Sequence, residues 1–191
     1  MKILIVGGGG REHAIAQTLY KQGHTLWCAP GNGGISQIAT CVPIKATDIE
    51  SMVDYAAKEQ FDLVVVAPDD PLAMGMVDKL NERGIKAFGP NAAAAQIEAS
   101  KAFTKELLKK YAIPTGSFTV CESVEEAYRI LDTHPMPVVV KADGLALGKG
   151  VYICQTGGFG NHGGPCVWRR RVQGAHRRIF DRAGGFLFVF L

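Results

Sequence analysis

The 191 residues of this chain are enough for one large domain or two small ones, and a hydrophobic fraction of 47% is typical of a soluble globular protein. Its apolar runs are too short to cross a bilayer, which argues against a membrane-spanning protein. The net charge of +3 is misleading, because residues 1–156 sum to −2 and residues 157–191 to +5, so the acidic body argues against nucleic-acid binding.

Five cysteines are scattered along the chain without Cys-x-x-Cys spacing and without histidines at zinc-ligand spacing. An odd, scattered set predicts reduced thiols in a cytoplasmic protein rather than a disulfide framework or a zinc site. The apolar start at residues 3–6 is too short for a signal peptide and is interpreted as a buried strand.

A strand at residues 2–6, a turn of glycines at 7–10 and a helix over 11–19 are predicted at the start of the chain. This order is typical of a nucleotide-binding α/β fold, whose turn N–H groups favour an anion. A dinucleotide site would need a third glycine where Glu12 or, in the alternative frame, His13 stands, which argues against NAD. A purely structural turn remains the alternative. The helix is expected to turn one face inward, made of Ala14, Ile15 and Leu19.

Strands and helices alternate in the prediction as far as residue 90. Strands are expected at His24–Cys28, Val42–Ile44, Asp62–Val66 and Ile85–Phe88, and helices at 48–58, capped by Asp48, and at 72–83, ended by Gly84. This alternation predicts a parallel sheet with its ligand site at the carboxyl ends of the strands. The binding face should therefore combine residues 7–13, 30–34 and 67–71.

A second unit is predicted after a boundary at about residues 90–115. Its first elements are a helical stretch at 92–111 with a break near Ser100, a strand at 118–121, and a helix at 122–131 with Ser123 and Glu126 as a capping box. Lys101, Lys105 and Lys109 lie one turn apart on one helix face. Lys101 and Lys109 are interpreted as solvated.

The stretch from Pro137 to Cys154 is predicted to form a strand, a glycine-rich loop and a second strand. Lys141 and Lys149 accompany the loop, whose glycines would let backbone N–H groups approach a phosphate closely. It is not a Walker A loop, because the glycine spacing differs and no Ser or Thr follows Lys149. These residues alone leave open a polyphosphate loop and a plain glycine-rich hairpin.

The composition changes after Thr156, since residues 157–191 contain eight glycines and six arginines but no lysine or glutamate. Three hypotheses compete: a basic arm that clasps nucleic acid through Trp168 and Arg169–Arg171, a poorly folded natural tail, and an out-of-frame translation. We favour the last, because several residue types change in usage at one point. Translating the encoding DNA in the other two frames past codon 156 tests it.

Six motifs in order carry a resemblance that covers residues 1–156. They are Gly7-Gly-Gly-Gly-Arg-Glu-His13, Pro30-Gly-Asn32, Pro68-Asp-Asp-Pro-Leu72, Phe88-Gly-Pro90, Ser100-Lys-Ala-Phe-Thr-Lys105 and Lys141-Ala-Asp-Gly-Leu-Ala-Leu-Gly-Lys-Gly150. Together they resemble the phosphoribosylamine–glycine ligase (glycinamide ribonucleotide synthetase) family of ATP-grasp enzymes. Each motif is weak alone, but six in the family's order are specific.

The resemblance implies a fold and a reaction of purine synthesis. The fold would be α/β, with an N-terminal parallel-sheet (pre-ATP-grasp, Rossmann-like) domain followed by an incomplete ATP-grasp domain. The family joins glycine to 5-phosphoribosylamine with ATP and Mg²⁺ or Mn²⁺, through a glycyl phosphate. These small molecules would be the only partners, with no nucleic acid and no membrane, and the protein would be a cytoplasmic monomer.

The resemblance also implies site residues. Those matched to the phosphoribosyl substrate or to the shape of its site are Gly8, Gly9, Gly10, Arg11, Glu12, His13, Asn32, Asp69 and Pro71. Those matched to the ATP phosphates are Lys105, Lys141, Gly148, Lys149 and Gly150. No catalytic side chain and no metal ligand is assigned.

The match has departures. Ala67-Pro68-Asp69 replaces the family's Gly-Pro-Glu, and Leu147 replaces an alanine. Nothing after residue 156 resembles the family's metal ligands or adenine pocket, so we expect a truncated chain that makes no glycinamide ribonucleotide. The expected domains are 1–100 for substrate, 101–156 for part of the ATP-grasp region, and 157–191 for the aberrant tail.

Two further expectations concern the function and the sheet of the second unit. The alternative function is a standalone nucleotide-binding Rossmann-like module without ligase activity. Because later strands of the second unit are missing from the pattern, Val138–Val140 and Val151–Ile153 are expected to present an unpaired sheet edge.

Overall fold

A computed structural model describes residues 1–135, 137–145, 151–154 and 186–190. The chain divides into two compact units, residues 1–96 and 97–191, which we describe separately and call unit 1 and unit 2. Within the described residues no helix is both long and apolar enough to cross a membrane.

Unit 1 contains a five-stranded parallel sheet. The strands are β1 (Lys2–Gly7), β2 (Thr25–Pro30), β3 (Thr40–Cys41), β4 (Leu63–Val66) and β5 (Ala87–Phe88), in the order β3-β2-β1-β4-β5. The predicted parallel sheet is therefore confirmed. The third strand was predicted two residues too late, because Val42 and Ile44 contribute apolar packing from outside the strand.

Helices cover both faces of this sheet. They are α1 (Gly10–Lys21), α2 (Ile49–Glu59), α3 (Asp69–Ala73) and α4 (Met76–Glu82), and α5 (Ala92–Ala99) spans the boundary of the two units. Asp48 caps α2 as predicted, since its carboxylate accepts a hydrogen bond from the Ser51 N–H at 3.3 Å. The single helix predicted at 72–83 is wrong, because Gly75 adopts φ +83° and separates α3 from α4.

Both faces of β1 are buried, as a parallel sheet between helices requires. Ile3 and Ile5 pack in one cluster with Ala16 of α1, whereas Leu4 and Val6 pack in the other with the apolar sides of α2 and α4. The predicted inward face of α1 was partly wrong, because Ala14 is exposed and Ala16 is buried.

The described residues of unit 2 form a four-stranded sheet and, after α5, two helices. They are α6 (Lys101–Lys110), β6 (Phe118–Cys121), α7 (Val124–Thr133), β7 (Val138–Ala142), β8 (Val151–Cys154) and β9 (Phe186–Phe190). The sheet order is β6-β9-β7-β8, and β9 runs antiparallel to both of its neighbours. The unpaired edge expected at Val138–Val140 is wrong, because β7 has partner strands on both sides, whereas β8 has one partner strand in the described part of the chain.

Serine caps begin the two helices described above for unit 2; the cap at Ser123 was predicted, whereas Ser100 was predicted only as a break. Ser100 lies between α5 and α6 and caps α6, since its hydroxyl accepts a hydrogen bond from the Phe103 N–H at 3.0 Å. Ser123 caps α7 and accepts from the Glu126 N–H at 3.2 Å, as predicted. The arm proposed around Arg169–Arg171 lies outside the described residues.

Candidate functional site

The carboxyl ends of β1, β2 and β4 meet at one edge of the unit 1 sheet. Val6 lies opposite Ala29 of β2 and Val66 of β4, so the loops after these strands start at the same level. The chain builds β2 and β3 on one side of β1 and then crosses to β4 and β5 on the other. Such a reversal opens a crevice between β1 and β4, which is where open α/β sheets bind ligands.

The turn between β1 and α1 is held by Glu12. This residue is only 5% exposed, and its carboxylate accepts from the Gly9 N–H at 2.5 Å. A Cβ at Gly7, where φ is +117°, would lie 2.7 Å from the Glu12 Cγ. Glu12 therefore occupies the space that a dinucleotide fingerprint leaves to glycine, and it uses a turn N–H group that could otherwise bind an anion.

Asn32 joins the β2 loop to this turn. Its Nδ2 donates to the Gly8 carbonyl at 2.8 Å, and its Oδ1 accepts from the N–H groups of Gly34 and Ile35, each at 2.9 Å. The backbones approach so closely that a Cβ at Gly8 would lie 2.4 Å from the Gly31 carbonyl oxygen. Asn32 thus shapes the site by fixing two loops.

His13 packs on the same loop. Its ring lies where a side chain at Gly34 would be, since a Cβ there would meet the His13 Cε1 at 2.6 Å. The ring is half-buried, which places one imidazole beside the crevice.

Arg11 connects α1 to the loop after β4. Its Nη1 donates to the Ala67 carbonyl at 2.9 Å and to the Asp69 carboxylate at 3.3 Å, and both charged side chains are largely exposed. Pro71 is buried in α3 behind Asp69. Because only Nη1 is engaged within the described part of the chain, the other guanidinium donors are free for an anion.

A mostly apolar cavity of about 560 Å³ opens beside Arg11. Its wall includes Ala67 and Leu72 after β4, and the segment Phe88–Pro90 at the end of β5. Phe88, Gly89 and Pro90 were missing from the predicted site residues, although they form one of the six sequence motifs and lie at a carboxyl strand end. That position was the signal that could have identified them.

In unit 2, Lys105 and Lys141 interact electrostatically. Lys105 on α6 donates to the Thr115 hydroxyl at 2.6 Å and to the Gly116 carbonyl at 3.0 Å, and its ammonium lies 5.8 Å from the Phe118 ring centre. Burial lowers the pKa of Lys105, and the positive charge of Lys141 on β7 lowers it further. A bound anion would offset this repulsion, so the pair suits a phosphate group.

Asp143 links the residues that follow β7 to the start of α6. Its carboxylate accepts from the Lys101 N–H at 2.6 Å, the Ala102 N–H at 3.2 Å and the Ser100 hydroxyl at 3.1 Å. The Lys101 ammonium donates to the Gly144 carbonyl at 2.7 Å, so the expectation of a solvated Lys101 is wrong. Lys109, by contrast, is exposed as expected.

Three predicted phosphate-binding residues, Gly148, Lys149 and Gly150, lie outside the described residues. Among those that the structure describes, no group of three or more His, Cys, Asp or Glu side chains could hold a metal ion. The described residues therefore do not fit the Mg²⁺ or Mn²⁺ that the resemblance implies.

Two cysteines in the described residues have strongly perturbed thiols. Burial raises the pKa of Cys28 to about 12, with the charges of Cys41 and Glu12 adding to the effect, and Cys28 donates to the Gly7 carbonyl at 3.2 Å. Burial also raises the pKa of Cys121 to about 11. Both are free thiols that stay protonated at neutral pH, so they serve as packing groups rather than nucleophiles.

Comparison with known families gives two adjacent matches. The N domain of phosphoribosylglycinamide synthetase matches residues 1–98, and the ATP-grasp (A) domain of the same synthetase matches residues 99–160. Together these matches span both units.

Two curated relatives are phosphoribosylamine–glycine ligases. That of Caldanaerobacter subterraneus subsp. tengcongensis is 48% identical over 155 residues, which are 80% of this chain and 37% of the relative. That of Streptococcus pneumoniae serotype 4 is 40% identical over 188 residues, which are 97% of this chain and 42% of the relative. This chain thus spans about two fifths of the length of these relatives.

Solved structures share the architecture. Phosphoribosylamine–glycine ligase from Thermotoga maritima superposes with a TM-score of 0.74 at 28% identity, covering 100% of this chain and 44% of that protein. The biotin carboxylase domain of the Hydrogenobacter thermophilus 2-oxoglutarate carboxylase, solved with MgADP, ADP and bicarbonate, has the same TM-score of 0.74 at 21% identity, covering 98% of this chain and 43% of that protein. The second likeness concerns the fold alone.

Proposed function

This chain belongs to the phosphoribosylglycinamide synthetase family, and we propose that it carries binding sites for the ATP-dependent ligation of glycine to 5-phosphoribosylamine, although it makes no glycinamide ribonucleotide by itself. In this reaction the glycine carboxylate takes the γ-phosphoryl group of ATP and releases ADP. The amine of phosphoribosylamine then attacks the acyl carbon of glycyl phosphate and expels inorganic phosphate. The products are glycinamide ribonucleotide, ADP and phosphate.

We assign the phosphoribosyl substrate to the crevice of unit 1. Gly8, Gly9 and Gly10 form the turn at its base, and Glu12 and Asn32 fix that turn through the hydrogen bonds described above. Arg11 and His13 lie on the first turns of α1, and Asp69 and Pro71 lie across the crevice on α3. Arg11 is the side chain best suited to a phosphate monoester, because its guanidinium can form paired charge-assisted hydrogen bonds.

We assign the ATP phosphates to Lys105 and Lys141, followed along the chain by Gly148, Lys149 and Gly150. The observation that supports this assignment is the position of the Lys105 ammonium, which donates to Thr115 and Gly116 and whose pKa is lowered by burial and then by the positive charge of Lys141. Phosphoryl transfer requires positioning and positive charge around the transferred group more than covalent help from the protein. We assign no step to a metal ion, because the described residues offer no ligand set for one.

Nucleotide binding to the full chain tests this proposal. We expect Lys105→Met and Lys141→Met each to weaken ATP binding, measured by isothermal titration calorimetry, by about tenfold or more, because each removes a charge-assisted contact. Lys109→Met is the matched control, because it removes an exposed lysine from the same helix and should leave the affinity unchanged. Equal ATP affinity in all four proteins would contradict the phosphate assignment.

A thermal-shift series separates the classes of function. ATP should stabilise the chain, whereas NADH and an oligonucleotide should not. Stabilisation by NADH alone would rule out the ligase assignment. Glycine- and phosphoribosylamine-dependent release of phosphate from ATP by the purified chain would contradict the expectation that it makes no glycinamide ribonucleotide by itself.

We also propose a cytoplasmic monomer, a location that the free thiols of Cys28, Cys41 and Cys121 support. Sedimentation of the purified chain tests the oligomeric state, and a dimer at micromolar concentration would contradict this proposal.

A further inference from the structure

Asp143 lies at a junction that neither the family resemblance nor the proposed function assigns a role. Its carboxylate is half-buried and accepts three hydrogen bonds from the first residues of α6, two of them from backbone N–H groups. These are the unpaired donors of a helix N-terminus, where a negative charge is favoured. A further bond crosses the junction in the same direction, because the Lys101 ammonium donates to the Gly144 carbonyl.

The same junction lies next to the two phosphate-binding lysines. Lys105 follows Lys101 by four residues, so the two side chains project from the same face of α6. Lys141 lies in β7, two residues before Asp143. The hydrogen bonds that Asp143 accepts at the start of α6 therefore lie about one helical turn from Lys105. Lys141 is on the other segment that these bonds join.

We propose that Asp143 is a positioning residue, which joins the end of β7 to the start of α6 so that Lys105 and Lys141 are held together for one phosphate group. The inference rests on the proposed function for the identity of the anion. Its structural part does not, because two like charges separate unless other contacts hold their backbones in place. Asp143 supplies such contacts with charge-assisted hydrogen bonds.

The decisive measurement is the electrostatic coupling of the two lysines without any ligand. The pKa of Lys105 is followed by side-chain NMR in the full chain, before and after Lys141→Met. In the unaltered chain this substitution should raise the pKa of Lys105, because it removes the charge of Lys141. In Asp143→Ala the same substitution should raise it by less than half as much, because the lysines have separated.

Three other variants separate positioning from general stabilisation. Lys101→Met removes only the bond to Gly144, so it should reduce the coupling between Lys105 and Lys141 by less than Asp143→Ala does. Ser123→Ala removes a helix cap in the same unit and should lower stability without changing the coupling. Lys109→Met changes an exposed lysine on α6 and should change neither quantity.

Binding of inorganic triphosphate gives a second readout. Asp143→Ala should weaken it by about tenfold, the effect of losing one hydrogen bond to a charged group, while Ser123→Ala should not. Full coupling of the lysines in Asp143→Ala would overturn the inference, even if stability fell. If Asp143→Ala does not fold, the same measurement is made in Asp143→Asn and Lys101→Met. Undiminished coupling between Lys105 and Lys141 in both of these variants would overturn the inference. Absence of triphosphate binding in the unaltered chain would instead overturn the phosphate assignment, and the coupling would still decide the role of Asp143.

Discussion

The two units arrange their candidate binding groups by opposite means. In unit 1 the polar groups around the crevice satisfy one another, as Glu12 does with Gly9 and Asn32 with Gly8. In unit 2 two groups of like charge, Lys105 and Lys141, are held near each other, and burial adds to the cost. Unit 1 therefore supplies a rigid shape, whereas unit 2 supplies positive charge that an anion can neutralise.

The two sheets also differ in how far apart along the chain their paired strands lie. The strands of unit 1 follow one another along residues 2–88, so each strand pairs with sequence neighbours or with β1. In unit 2 an inner position is occupied by β9, which comes from residues 186–190 and pairs with both β6 and β7. The strand that carries Lys141, β7, thus pairs with a strand from a distant part of the chain.

Deleting residues 186–191 should have the largest effect of any change considered. Without β9, both β6 and β7 lose a hydrogen-bonded partner, and the backbone groups exposed by the gap are costly to leave unpaired. Hydrogen exchange measured by mass spectrometry should show loss of protection at 118–121 and 138–142, with protection of residues 2–66 retained.

Deletion of Leu191 alone is the control, because it leaves β9 intact. Undiminished protection of β6 and β7 after the longer deletion would show that β9 is dispensable, and the contrast between the two units would then disappear.

Gly8→Ala tests the rigid shape of unit 1. The new Cβ would lie 2.4 Å from the Gly31 carbonyl oxygen, so the two loops must separate, and we expect a loss of about 3 kcal/mol in the free energy of unfolding. Urea denaturation of unit 1 followed by circular dichroism measures it. Gly10→Ala is the matched control, since no atom lies within 4 Å of a Cβ there, and it should be neutral or slightly stabilising. Equal effects of the two substitutions would refute the close approach.

The sequence predicted unit 1 better than unit 2 for physical reasons. Continuous apolar runs such as Leu63–Val66 are typical of buried parallel strands, and the cap at Asp48 is a local signal. The break at Gly75 was missed, because one glycine within a helical pattern is ambiguous until its φ is known.

The errors in unit 2 have a common origin in long-range pairing. No local pattern gives the partners of a strand, so the place of β9 between β6 and β7 was not foreseen. Lys101 was taken as solvated for the same reason, because its acceptor at Gly144 lies 43 residues along the chain.

The candidate site was predicted at the level of loops rather than of individual contacts. The three loops at the carboxyl ends of β1, β2 and β4 do meet, as strand alternation requires. The capping role of Glu12 was not recognised, although a glutamate three residues after the N-cap is a known signal. The proximity of Lys105 and Lys141 came from the family resemblance, because they belong to different elements.

Glu12→Ala should have a smaller effect than Gly8→Ala. It leaves the Gly9 N–H without its acceptor and opens space beside Gly7, so we expect a loss of about 2 kcal/mol in the free energy of unfolding. The control is Glu50→Ala, an exposed acidic residue in the first turn of α2 that pairs with Lys79, for which we expect less than about 1 kcal/mol. Urea denaturation measures both, and a Glu12 effect no larger than that of Glu50 would mean that the turn does not depend on its cap.

The smallest expected effect is the pH dependence contributed by Lys105. Because its pKa is lower in the folded chain than its ordinary value of 10.5, the unfolded chain binds more protons between those two values. The free energy of unfolding should therefore gain a rising contribution as pH increases across that window.

In Lys105→Met this contribution is absent, and in Lys109→Met it is retained. Saturating inorganic triphosphate should reduce it in the unaltered chain, because a bound anion favours the charged lysine. Urea denaturation of unit 2 at several pH values, followed by hydrogen exchange at β7, measures the difference in slope. A slope that Lys105→Met leaves unchanged would show that the repulsion between the two lysines is not significant, and would remove the electrostatic contrast between the units.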